Sequence, residues 1–309
     1  MALLKSRGDP WEELPYNRFA GFIAPEADRY GILGSLIDAM GFNSLVFPIG
    51  EHRHFFILPR GQRLRITEGF PFRGQSPVIL AAHYDRVPGS PGANDNSAAV
   101  FQLLRAALRL TELGTGYWIM IFTDGEELEA GESFENQGSF ALAELLRQGG
   151  LGDARVFIFD ACGTGDTLII SSTTDYILRH ERSAATRKAR QLIGELREHA
   201  METVRDLRLD RVLVVPTPFS DDAGFLRAGI PAQTICMLPA EEAAPYASLL
   251  RMHPEFADFF LAGAIRNTAD RFNIPETWRC LNGPSDSRLR LTPMYFDRVV
   301  RFAAALCKE

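Results

Sequence analysis

The sequence predicts an α/β fold: a three-layer sandwich with a mixed, mostly parallel central sheet and helices on both faces. Three observations carry this expectation. The run Val78-Ile79-Leu80-Ala81-Ala82 is short, continuously apolar and bounded by turn residues, as expected of a strand buried on both sides. Helix-period and strand-period segments alternate along the chain. Polar, acid-rich loops follow the apolar strands, and open sheets of this kind bind ligands beyond the carboxyl ends of their strands.

In chain order, a helical stretch is expected from Tyr16 to Met40, broken near Pro25, because proline lacks the amide hydrogen a helix interior needs. Strand-like runs follow at His54 to Leu58 and Leu64 to Thr67, and then the buried strand at 78–82. After the Gly- and Pro-rich loop RVPGSPGANDN comes a helix from Ser97 to Thr111, with Val100, Leu103, Leu104, Ala107 and Leu108 at helical spacing. Tyr117 to Phe122 reads as a strand and Phe140 to Leu146 as a helix. Arg155 to Phe159 and Leu168 to Ser171 read as strands. A long polar helix is expected over Tyr176 to Leu207, read as a solvated amphipathic element. Strands at Val212 to Val215 and Ala232 to Met237 and a final helix at Pro293 to Leu306 complete the set.

Composition narrows the function. The chain has 309 residues, 46% of them hydrophobic, which excludes a disordered chain and allows a large core. The formal net charge of −6 weighs against nucleic acid as a partner, since phosphate binding needs a basic face. No apolar run approaches a membrane span, and the N-terminus has no apolar signal region. The cysteines Cys162, Cys236, Cys280 and Cys307 are widely spaced and read as reduced, so a cytoplasmic location is expected. Oligomeric state is not legible.

The strand ends carry the chemistry. Ala82-His83-Tyr84-Asp85 follows the first buried strand, and Gly92-Ala93-Asn94-Asp95-Asn96 opens the next helix. Asp124-Gly125-Glu126-Glu127 and Asp160 follow the next two strands. Each has a plain structural reading when taken alone; Asp95, for instance, suits a helix cap. Together they bring one imidazole and several carboxylates to one sheet edge, which suits zinc or a similar metal. Adjacent glutamates allow one to bind metal while the other handles protons.

These segments resemble a known family. AAHYDRVPGSPGANDNSAA, WIMIFTDGEE, FIFDACG, SDDAGFLRAGIPAQTI and TWRCLNGPSDSRLRLTPMYFDRVVRF resemble, in order, the motif segments of the zinc-dependent co-catalytic aminopeptidases. These include the bacterial leucyl aminopeptidases, with glutamate carboxypeptidase, transferrin receptor and glutaminyl cyclase as relatives. The resemblance spans roughly 77–305. It implies a single zinc-exopeptidase-like catalytic domain over 1–309, with 1–75 supplying N-terminal helix and edge-strand elements. It implies that His83, Asp95 and Asp160 hold one zinc. Asp95 would bridge to a second zinc, also held by Glu127 and a closing histidine. Glu126 would be the general base, and Asp85 would orient the His83 ring. A strained Asp95–Asn96 peptide is also implied, with a cis form open.

The sequence departs from that pattern at three places. Asn282 stands where the closing histidine belongs, so the second site is expected to be weak or lost; a slip of one residue would place Leu281 there instead. Asp222 replaces another family histidine, at a position not counted as a ligand. The link after the glutamate pair, residues 128–137, is stretched, which is expected to remodel the pocket wall near Glu127. Of the other histidines, His253 reads as a surface residue at a helix start and His180 and His199 as solvated. His52 and His54 lie outside the matched segments. Loss of the position-282 ligand disfavours a glutaminyl cyclase, because those enzymes keep the site that is damaged here.

The expected function is metal-dependent hydrolysis of an N-terminal peptide bond or related small amide. The alternative is a catalytically impaired relative acting as a binding or structural module; a single-metal deacylase is a third reading.

Overall fold

The computed structural model describes residues 18–59, 76–128, 132–179, 182–257 and 274–308. The strands are β1 (Ser44–Ile49), β2 (His52–Ile57), β3 (Val78–His83), β4 (Trp118–Thr123), β5 (Arg155–Phe159), β6 (Thr167–Ser171), β7 (Val212–Val215) and β8 (Ala232–Leu238). They form one eight-stranded sheet in the order β1-β2-β4-β3-β5-β8-β6-β7. The centre, β4-β3-β5-β8, is parallel, while β2 runs antiparallel to β4 and β6 antiparallel to β8. The mixed, mostly parallel sheet matches the expectation.

Successive side chains of a strand point to opposite faces, and β3 shows why both must be covered. Val78, Leu80 and Ala82 pack into one core with α3 (Ala98–Glu112), α6 (Ala184–Asp206) and the C-terminal helix Phe296–Leu306. Ile79 and Ala81 pack into the other core with α4 (Gly138–Gln148) and α7 (Asp221–Arg227). A third cluster joins β6 and β8 to α8 (Ala240–Met252) and Trp278. The helix after β3 covers one face and the helix after β4 the other, while β4 and β5 flank β3 on opposite sides. Such a reversal opens a crevice beyond the carboxyl end of the strand where the order switches.

Several expectations shift. The first helical stretch is two pieces, α1 (Phe19–Phe22) and α2 (Arg29–Ala39), separated around Pro25. The single helix expected over 176–207 is also two, α5 (Thr173–Leu178) and α6, because Ser183 caps the second by accepting the Thr186 amide at 3.0 Å. The run Leu64 to Thr67 lies outside the described residues. β1, α7 and α8 were not anticipated. No described helix is long and apolar enough to cross a membrane. All four cysteines are free, three of them buried.

Candidate metal centre

Register aligns the functional side chains. His83 ends β3 opposite Thr123 of β4, and Ala81 pairs with Ile158 of β5, so Asp160 emerges level with His83. The segment carrying Asp95 is pulled under them by its neighbours. Asn96 Nδ2 donates to the Phe159 carbonyl (2.8 Å), and Asn94 Oδ1 accepts the Gly163 amide (2.7 Å). The Asp286 carboxylate accepts the amides of Asn94 (2.8 Å) and Asp95 (3.0 Å). The Asp95–Asn96 peptide is cis.

The result is a convergent donor set. His83 is fully buried, with Nε2 lying 3.1 Å from Asp95 Oδ1 and 3.7 Å from Asp160 Oδ1. The ligand atoms of His83, Asp95 and Asp160 all lie within 4.8 Å of one another, the one such group among the described residues. His83 Nε2 and Asp160 Oδ1 are buried without a hydrogen-bond partner in the protein, although buried polar atoms are normally satisfied. Burial works against an imidazolium at His83, yet Asp160, Asp85 and Asp95 outweigh it and hold the ring well above the usual 6.5. A cation is what this field selects. An imidazole, two carboxylates and unsatisfied buried donor atoms fit a divalent zinc-class ion.

Asp85 couples this set to the glutamates. Its Oδ1 lies 3.4 Å from His83 Nδ1, and its Oδ2 accepts the amides of Glu126 (3.0 Å) and Glu127 (3.4 Å). Burial would raise the Asp85 pKa, but His83 and the Glu127 amide pull it below the ordinary value. One carboxylate therefore orients the histidine ring and the backbone of both glutamates. Burial raises Glu126 well above the carboxylate range, with Glu127, Asp160 and Asp221 adding to the effect against His83. Burial and the Asp95 charge push Glu127 up to about 8.

Asn282 completes the ring, in a left-handed backbone conformation (φ 62°) that asparagine tolerates. Its amide lies against Glu127, 3.3 Å from Oε2 in one orientation. Turned over, the NH₂ donates to Glu127 Oε1 at 2.6 Å and to Asp95 Oδ2 at 3.2 Å, which satisfies the donors and acceptors better. Leu281 instead packs against the cluster around Trp278, so residue 282 and not 281 faces the carboxylates. Trp278 stacks edge-on to Tyr246 of α8 at 5.2 Å, and Glu242 accepts the Thr277 amide (2.8 Å), holding the segment in place.

A family model for peptidase family M28 matches residues 68–263. The chain belongs to this family. Among solved structures, the chain is similar to a zinc aminopeptidase from Bacillus subtilis (TM-score 0.52, 17% identity, 82% of this chain and 49% of that one). A glutaminyl cyclase from Porphyromonas gingivalis aligns with TM-score 0.58 at 15% identity over 94% of each chain. The LapA aminopeptidase of Legionella pneumophila aligns with TM-score 0.59 at 14% identity, over 97% of this chain and 70% of that one. The M28 chain thus spans about half the length of the Bacillus enzyme, and at these identities the likeness is one of fold. The sequence matches no curated protein.

Among the other described histidines of the M28 chain, His52, His54 and His199 have structural roles. His253 is exposed, as expected, between the C-terminal end of α8 and the helical turn that opens at Glu255, whose side chain lies 3.2 Å away. His199, expected to be solvated, joins three elements: it sits 2.9 Å from the Leu306 carbonyl and 3.4 Å from Arg155, with its ring against Phe157. His180 lies outside the described residues. His54 is fully buried and accepts the Asp124 amide on Nδ1 (3.3 Å), while the His52 ring covers Gly125. Burial drives the His54 pKa down to about 4, so the ring is neutral. Neither was expected to support the glutamate turn; both lie on β2, which pairs with the β4 strand that leads into it.

The stretched link does meet the turn. Gln137 donates to the Glu126 carbonyl (2.9 Å) and accepts the Gly224 amide (3.0 Å), while Phe134 packs on Phe219. Two acids at the start of α7 went unassigned. Asp221 accepts the Thr123 hydroxyl, and Asp222 accepts the Ser220 amide (3.1 Å). Both are buried, which lifts them to about 6 and about 7.

Proposed function

We propose that this M28 chain is a metal-dependent amide hydrolase acting at a free amino terminus, with one firm metal site. The observation that carries the reading is the convergence of His83, Asp95 and Asp160 beside a glutamate pair whose backbone is fixed by Asp85. His83, Asp95 and Asp160 would hold the ion. When bound, a zinc-class ion supplies Lewis acidity to a scissile carbonyl and eases deprotonation of water. Glu126 takes the proton from the attacking water and returns it to the leaving amine. Its setting suits that work, because the Asp85 carboxylate accepts its backbone amide and fixes the glutamate beside the donor set. The surrounding carboxylates meet the positive amino terminus of a peptide or small amide.

Asn282 favours a one-metal centre. Its NH₂ supplies hydrogen bonds to Glu127 and Asp95 where a second cation would neutralise them. Free, mostly buried cysteines suit a reducing, cytoplasmic setting.

The test pairs elemental analysis with hydrolysis of aminoacyl-nitroanilides. Glu126→Gln should retain its metal and lose at least a hundredfold in rate, in line with removal of a general base. Undiminished hydrolysis would refute the assignment of the base. Wild-type protein that takes up no zinc from excess would favour the second reading, a binding module, to which the position of Asn282 also lends weight.

A further inference from the structure

Among the described residues, the buried arginine that the proposed chemistry leaves unused is Arg29, at the start of α2 and outside the segment that matches M28. It is 6% exposed and has no carboxylate among its hydrogen-bond partners. Nε donates to the Phe22 carbonyl (3.3 Å). Nη1 donates to the carbonyls of Tyr84 (2.9 Å) and Asp85 (3.0 Å). Nη2 donates to the carbonyls of Pro91 (2.9 Å) and Gly92 (3.1 Å) and to Ser97 Oγ (2.7 Å).

The Nη1 and Nη2 acceptors share one property. Residues 84 and 85 begin the loop that leaves β3, residues 91 and 92 end it, and Ser97 lies just past Asp95. The guanidinium therefore ties the two ends of the loop to each other. The loop sequence, RVPGSPG, has few other bonds: the Ser90 amide donates to the Val87 carbonyl, the Gly92 amide to Ser90 Oγ, Ser90 Oγ to the Gly283 carbonyl, and Arg86 to the Pro91 carbonyl. Asp85 stands against Nδ1 of His83 and Asp95 against Nε2. The span of the loop is thus the separation of the two carboxylates that flank the metal-ligating ring. Gly92 records the closeness of the clamp: a Cβ there would lie 2.7 Å from Arg29 Nη2 and 2.7 Å from the Asp95 carbonyl. Arg86 reinforces it from the other side, bonding Pro91 and the carbonyls of Ile23, Ala24 and Pro25. A planar, five-donor guanidinium can serve so many divergent carbonyls; an ammonium with three donors cannot.

We propose that Arg29 is a positioning residue for the metal centre, setting the Asp85-to-Asp95 separation through the backbone of the 84–97 segment. In its metal arm this rests on the reading under Proposed function; in its structural arm it does not. The experiment uses the full chain with Arg29→Met, Arg29→Lys and, as a control, Leu33→Ala. Leu33 is a fully buried residue of the same helix and belongs to the apolar core. Zinc affinity is read by chelator competition at a temperature where circular dichroism shows each protein folded, and amide hydrogen exchange is read over residues 84–97.

Arg29→Met should weaken zinc binding about tenfold to a hundredfold, the usual cost of losing a group that orients ligands from behind. It should also speed exchange across 84–97 in the metal-free protein. Arg29→Lys should recover part of each, and carries the test if Arg29→Met does not fold. Leu33→Ala should lower the unfolding temperature while leaving both readouts near wild type, which separates positioning from general stability. Wild-type affinity in both Arg29 variants overturns the proposal, as does unchanged exchange over 84–97. Failure of the wild type to bind zinc overturns the metal reading instead, and the exchange arm still decides whether Arg29 is the clamp.

Discussion

Replacing Asn282 by histidine should convert a one-metal centre into a two-metal one. The structure gives the terms. Asp95 and Glu127 already converge on residue 282, with the amide 2.6 Å from Glu127 Oε1 and 3.2 Å from Asp95 Oδ2. An imidazole there would make a third donor, the number of protein ligands typical of a catalytic zinc. Structural zinc sites reach about 10–16 kcal/mol from four ligands, so one donor is worth about 3 kcal/mol, or about a hundredfold in dissociation constant. The costs are smaller. The hydrogen bonds lost are on an exposed residue, and the left-handed conformation at φ 62° is among those histidine visits more often than most residues. The wild type, equilibrated with micromolar zinc and passed through a desalting column, should carry about one zinc per chain by elemental analysis, and Asn282→His about two. A variant that stays at one ion, or a wild type that already carries two, would refute the reasoning.

Two further predictions concern buried groups around the centre. Burial raises Asp222 from 3.8 to about 7, so between those values the folded chain holds a proton the unfolded chain has released. Its contribution therefore favours folding at low pH and is lost as pH rises toward 7, by up to about 4 kcal/mol. Asp222→Asn, which keeps an oxygen for the Ser220 amide, should match wild type near pH 4 and exceed it at pH 8 in urea unfolding; an equal difference at both would contradict this. At Gly138 a Cβ would lie 2.0 Å from the Asp124 carbonyl, which is backbone and cannot swing aside. Gly138→Ala should cost about 1–3 kcal/mol in thermal unfolding and most of the hydrolysis, because it displaces the turn that carries Glu126. Gly194→Ala, in α6 with nothing within 4 Å of a Cβ, should be neutral or slightly stabilising.

The elements most legible in the sequence were those with undiluted periodicity. β3 is buried along its whole length and α3 along one broad face, and their edges fell within one or two residues of expectation. β1 was missed because Pro48 and its half-exposed alternation mark an edge strand, a weak local signal. α8 was missed for a related reason: Pro245 lies inside it, where a sequence reading expects a break. The division between α5 and α6 had a legible marker in Ser183, but the run of helix formers on either side outweighed it.

By itself, the sequence determined the α/β class, the order of the strand-end acids, and the asparagine at position 282. Those are properties of local pattern and residue identity. Only the tertiary structure decided that His83, Asp95 and Asp160 converge, that the Asn282 amide meets Asp95 and Glu127, and that Arg29 and Asp286 hold the Asp95 segment. The reason is physical. Arg29 acts mainly on carbonyls and Asp286 on amides, groups nearly every residue carries, and their backbone partners in the 84–95 segment lie from 55 to 192 positions away along the chain. No residue pattern marks a backbone acceptor, so such contacts exist for a reader only once the chain has folded.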